Sequence, residues 1–138
     1  MKAETNDEGL TTKEKSFENL HVFCDSRVLA NRIFDLTGFP AFAKEFSLVN
    51  QMRRAAVSIL SNIAEGFERE TDAEFARFLY IAKGSCGELR AQILLCGDRA
   101  LISKHEQTEA MDLCRTVSKR LFRLIEYLKH GRMLRKNS

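Results

Sequence analysis

The sequence holds one proline and no tryptophan, and only seven of its 138 residues are glycine. So few backbone breakers favour long uninterrupted helices and exclude collagen-like and turn-rich all-β chains. Long apolar runs are missing too. None approaches the roughly 20 residues needed to cross a bilayer, so no membrane partner is expected. Met1 to Leu10 mixes charges of both signs where a secretory leader needs an apolar stretch, which points to a cytoplasmic protein. No CxxC pair occurs among Cys24, Cys86, Cys96 and Cys114, and only His21 lies within four residues of a cysteine. Zinc sites and disulfides therefore fall away, and all four cysteines are expected as reduced thiols in the core.

What is present suits one globular domain. A chain of this length buries about two thirds of the surface it exposes when unfolded, and 44% hydrophobic with 30% charged residues supplies both core and surface. The net charge of +3 is unevenly spread. Residues 1–18 carry five acids against three lysines, whereas eight cations face only Glu126 from Arg115 onward. Such asymmetry suits an anionic partner.

Residues 1–15 are polar and unpatterned, and are expected to form a disordered tail. The pattern from residue 16 to 130 predicts a bundle, and residues 131–138 form a basic tail. A first helix starts near Ser16 or Asn19, buries Val22, Leu29, Ile33 and Leu36 with Phe23, Ala30 and Phe34 beside them, and stops at Gly38 before Pro40. Ser47 is the expected cap of a second helix, where Val49, Met52, Ala56, Ile59 and Ile63 recur at alternating spacings of three and four. A third helix follows Thr71-Asp72, with Phe75, Phe78, Ala82, Cys86, Leu89, Ile93 and Cys96 on its core face. The fourth runs from about Ser103 to Lys129 and turns Cys114, Val117, Leu121, Leu124 and Leu128 inward. Four 3.5-residue seams with short connections predict an all-α, antiparallel up-and-down four-helix bundle.

Bundles often house metals. The di-iron pattern needs Glu-x-x-His on two helices, yet only Glu18 to His21 supplies one copy, and His105-Glu106 lacks the second histidine of HExxH because position 109 is Glu109. No metal and no cofactor is therefore expected. GxSxG, Walker and GxGxxG motifs are absent, and Gly84-Ser85-Cys86-Gly87 sits inside a helical pattern, where small residues permit close helix approach.

Two polar rows stand out. Arg115, Lys119 and Arg123 recur every four residues opposite the Leu121 seam, a row of cations that phosphate oxygens could meet. No aromatic platform interleaves with them, so backbone contacts and shape would lead any recognition. On the second helix Gln51, Arg54, Ser58, Asn62, Glu65 and Arg69 form a stripe offset from the apolar one, matched by Ser85, Glu88 and Gln92 on the third. Small and amide side chains suit a packed polar seam, within the bundle or between subunits. Arg54 and Glu88 are expected to pair across it.

Phe39-Pro40, Glu45-Phe46, Arg53-Arg54-Ala55, Ser58-Ile59, Asn62-Ile63-Ala64-Glu65-Gly66, Phe78-Leu79, Gly84-Ser85 and Glu88-Leu89 closely resemble the four-helix-bundle family encoded by intervening sequences in bacterial 23S ribosomal RNA genes. The resemblance spans about residues 20–129. It departs at Val22-Phe23, where the family has an apolar-Trp pair, and at Leu60, where it has proline after Ser-Ile. It implies a non-enzymatic bundle. Accessory variability determinants of diversity-generating retroelements, which are related, form pentameric rings with basic surfaces that bind nucleic acid and a reverse transcriptase. By that analogy this chain forms a homopentamer and binds structured RNA, with Arg53 and Arg69 joining Arg115, Lys119 and Arg123 on phosphates. The competing expectation is a scaffold or accessory subunit that works through protein contacts at Phe122 and the polar seam, with no direct nucleic-acid role.

Overall fold

The computed structural model describes residues 16–131, so the expected tail 1–15 and nearly all of the basic tail 131–138 lie outside the described residues. Four helices carry the chain: α1 (His21–Thr37), α2 (Phe46–Phe67), α3 (Asp72–Asp98) and α4 (Lys104–Glu126). Short 3-10 turns at Phe17–Asn19 and Pro40–Phe42 precede α1 and α2, and a π turn, Tyr127–Gly131, continues α4. No strand occurs among the described residues.

Each helix packs on its chain neighbours, and α1 closes the ring of contacts against α4. Contacts across three of these interfaces run in opposite directions along the two helices, with Lys83 at Ser118 and Ile93 at Gln107 between α3 and α4. Met52 meets Cys96 while Ser58 meets Ser85, and Asp25 meets Arg120 while Arg32 meets Glu109. The bundle is thus antiparallel and up-and-down. Every residue assigned to the α4 seam is buried, and so are Val22, Leu29, Ile33 and Leu36 of α1. Fully burying one such side chain contributes about 1.5–3 kcal/mol, so these seams supply most of the driving force.

Local signals set the helix starts. Thr71 accepts the Glu74 N–H at 3.2 Å, and Ser103 forms a reciprocal capping box with Glu106. Other expectations need correction. Ser47 lies inside the first turn of α2, and the cap position is Glu45, which makes no side-chain cap bond. Ser47 instead accepts from Gln51 Nε2 at 3.1 Å. Phe34 lies outside the core and is 40% exposed, with the guanidinium of Arg53 over its ring, 4.8 Å from the centroid. Cys24 is exposed, since two residues beyond Val22 is about 200° round the helix, away from the core. Gly38 caps α1 in the right-handed region, so its conformational freedom is unused there.

Two backbone positions carry the junctions. At Gly66 an added Cβ would lie 2.7 Å from Phe78 Cβ and 3.0 Å from Phe75 Cδ1, so α2 and α3 approach closely only because that side chain is absent. Ala100 adopts φ 56° at the end of α3, where Leu101 N–H reaches Cys96 O and Ala100 N–H reaches Gly97 O in a Schellman closure. Gly66→Ala is expected to destabilise the bundle by about 1–3 kcal/mol through overpacking, read by urea denaturation. Ala100→Gly should raise stability by about 0.5–1 kcal/mol, because relief of left-handed strain exceeds the added unfolded-state entropy. A lower melting temperature for Ala100→Gly would contradict that balance.

Candidate nucleic-acid interface

The outer face of α4 lies opposite its buried Leu121 seam and carries Arg115, Lys119 and Arg123, all exposed. Arg115 Nη1 sits 3.2 Å from Asp112 Oδ1, an exposed pair of little energetic weight. Among the described residues Lys119 and Arg123 have no ion-pair partner. The expected row therefore stands in solvent. Arg120 does not join it, because its Nε lies 2.6 Å from Asp25 Oδ2 and ties α4 to α1.

Sequence reasoning missed cations that α3 brings beside this face. Lys83 Nζ donates to Ser118 Oγ at 3.2 Å, and the charges of Arg90 and Arg115 both act on the Cys114 thiol. From the end of α4, Lys129 Nζ donates to Tyr80 Oη at 3.3 Å. Only the pairing of α3 with α4 collects these charges on one flank, although Lys83 and Arg90 share a heptad spacing that could have flagged them.

Arg53 and Arg69 stand elsewhere. Arg53 Nε donates to the buried Thr37 Oγ1 at 3.0 Å while its guanidinium stacks on Phe34, which pins α2 to α1. Arg69 lies over Phe78, 4.7 Å from the ring centroid, and bonds Glu65 at 3.0 Å. Both guanidinium groups are already engaged within the bundle.

The polar seam is packed only at its centre. Ser58 Oγ and Ser85 Oγ are 2.9 Å apart across α2 and α3, and Asn62 Nδ2 donates to Ser58 O at 2.8 Å. Gln92 is buried, with an unpartnered Oε1. Gln51, Arg54, Glu65 and Glu88 are exposed, and no ion pair joins Arg54 to Glu88, which corrects the expected pairing. The physical reason is position. Arg54 and Glu88 lie on the outward edges of their helices, where water solvates each charge more cheaply than a constrained pair.

The remaining chemistry is sparse. Between α1 and α4 an open groove of about 720 Å³ is lined by Cys24, Arg27, Val28, Asn31, Glu109 and Leu113 among others. No cluster of three or more metal-ligating side chains occurs among the described residues. All four cysteines are free. Cys86 Sγ donates to Cys114 O at 3.2 Å, and contact with Cys86 together with burial pushes the Cys114 thiol up. Burial, with Glu45 nearby, pushes Cys96 up to about 11.

A raised folded pKa means the protonated thiol is favoured in the fold, so its stabilisation is complete below the unfolded value and lost as pH rises through the folded one. The melting temperature should therefore fall between about pH 9 and 11, less steeply in Cys96→Ala. In native protein at pH 8 a thiol reagent should label Cys24 quickly and the other three only after unfolding. Rapid native labelling of more than one thiol would show that the core opens.

A family model described as 23S rRNA-intervening sequence protein matches residues 18–123. A crystal structure of a protein of unknown function from the S23 ribosomal protein family of Bacteroides thetaiotaomicron superposes with a TM-score of 0.71 at 24% identity, covering 76% of this chain and 98% of that one. At that identity the likeness speaks to the fold alone. No curated protein matches the chain. With the matched region spanning all of α1, α2 and α3 and most of α4, the chain belongs to the 23S rRNA-intervening sequence protein family.

Proposed function

We propose that this chain is a non-enzymatic, cytoplasmic, homo-oligomeric bundle that binds structured RNA through the outer face of α4. The observation that carries this reading is the unpaired, exposed row of Lys119 and Arg123, extended by Arg115 and flanked by Lys83 and Lys129. Phosphates on an RNA helix would displace counterions along this row, and the rigid helix would hold its cations in register. A family named for sequences that interrupt ribosomal RNA makes a folded RNA the natural ligand to test. The resemblance to pentameric accessory variability determinants supports a ring-like homopentamer as the assembled form.

A second reading is a protein-interaction scaffold. Phe122 favours it, because this large exposed aromatic side chain lies on α4 beside the cationic row.

The test is binding of the intervening-sequence RNA as a function of salt, with light scattering of the protein alone and with RNA. Arg115, Lys119 and Arg123 to Ala together should weaken binding tenfold or more at low salt, and each lost phosphate contact should flatten the salt slope by about 0.7–0.9. Arg53→Ala and Arg69→Ala should lower the melting temperature and leave that slope unchanged. No binding at low ionic strength, or binding indifferent to the triple variant, would remove the RNA reading. Capture of a protein through Phe122 after nuclease treatment would then support the scaffold.

A further inference from the structure

The expectation that no aromatic ring accompanies the cations of α4 needs correction. Phe122 follows Arg115 by seven residues, which is about 20° around the helix, so its ring stands among Arg115, Lys119 and Arg123 on the side nearer α3. It is 52% exposed. Tyr80, 50% exposed, stands across from it, because the register set by Lys83 at Ser118 and Ile93 at Gln107 brings Tyr80 level with Phe122. Lys129 Nζ lies 3.3 Å from Tyr80 Oη and 5.6 Å from the ring centroid, so the ammonium sits off the hydroxyl edge and does not cover the ring face.

Beside these rings the furrow between α3 and α4 is cationic. Lys83 reaches across it to Ser118. Further along, level with Met111, Arg90 has no ion-pair partner among the described residues, and its buried Nε makes no hydrogen bond. The neighbouring acids are engaged or turned away. Asp112 is 3.2 Å from Arg115, Glu126 is 4.0 Å from His130, and Glu88 leaves α3 about 140° from Lys83, on the side of α2. The α3 bank is low, since a Cβ at Gly84 or Gly87 would meet nothing within 4 Å. Those glycines, expected to serve close helix approach, face no helix of the same subunit.

We infer that this furrow takes an unpaired stretch of RNA, with bases stacked on Phe122 and Tyr80 and phosphates held by Lys83, Arg90, Arg115 and Lys119. The inference rests on the RNA reading of the α4 face and narrows its ligand to unpaired nucleotides, such as the loop of a folded RNA. Exposed rings suit any sequence, because every base has a π-face, while cations on both banks follow the backbone. Bases inside a paired stem offer their faces only to each other, so a stem meets the cations and not the rings. From Tyr80 to Arg90 the furrow runs about 15 Å, which spans about four nucleotides of stacked strand.

Fluorescence anisotropy at low salt compares two probes, an oligouridine of about twelve nucleotides, which stays single-stranded, and an RNA duplex of the same length. Phe122→Leu and Tyr80→Leu should each weaken oligouridine binding about tenfold and leave duplex binding and the salt slope unchanged. Both variants should keep the parent melting temperature, since each ring is half exposed. Lys83→Ala and Arg90→Ala should each flatten the oligouridine salt slope by about 0.7. The chain has no tryptophan, so Phe122→Trp supplies a lone indole that should retain full affinity and be quenched by oligouridine but not by the duplex. Ring variants that bind oligouridine as tightly as the parent, or that lose both probes equally, would overturn the stacking inference and leave the RNA reading in place. Failure of the parent protein to bind either probe at low salt would remove both.

Discussion

Four apolar seams, each repeating about every 3.5 residues, have to be buried against one another at the same time, and that constraint governs the rest of the molecule. Short connections allow only antiparallel neighbours, so each helix offers two flanks to water-free contact and one edge to solvent. The close approach of α2 and α3 at Gly66 is the tightest expression of this constraint, because Phe75 and Phe78 occupy the space a side chain would need. Aromatic edges continue the contact outward, with Phe67 against Phe75 at 5.9 Å and Phe17 against Phe67 at 6.5 Å between ring centroids.

Once the seams are buried, the charged residues divide by azimuth. Those on the flank between α1 and α4 become crossing ties, with Arg32 and Arg120 each 2.6 Å from a carboxylate. Those on the outer edge of α4 keep their hydration and remain available to an anionic ligand. Arg53 and Arg69 belong to a third group, in which an aromatic ring and a nearby oxygen occupy the guanidinium. The same residue type thus serves as tie, solvated cation or ring cover according to the angle at which it leaves its helix.

Helix α3 differs from α4 in having no strongly polar edge. Its inner side fills the core, and its outer side exposes Tyr80, Ile81, Leu94 and Leu95 with Gly84, Gly87 and Ala91 between them, interrupted by Glu88. A largely apolar outer face on α3 and a cationic outer face on α4 lie on neighbouring helices.

Periodicity and helix caps are local properties, so the chain alone determined the helix class, the four seams, and the starts of α3 and α4 at Thr71 and Ser103. The long ordered motif from Phe39 to Gln92 also carried the family. What lay beyond local reading was which rows meet. Spacing placed Arg54 and Glu88 on facing stripes, but the rotation of α2 against α3 brought Ser58 to Ser85 and left both charges in water. It placed Cys24 and Phe34 near the core, whereas packing put Cys24 outside and set Arg53 over Phe34. It could not gather Lys83 and Lys129 beside the α4 row, nor show that Gly84 and Gly87 face no helix of their own subunit. Helix rotation and crossing are set by how whole side chains interlock, and only the tertiary structure decides them.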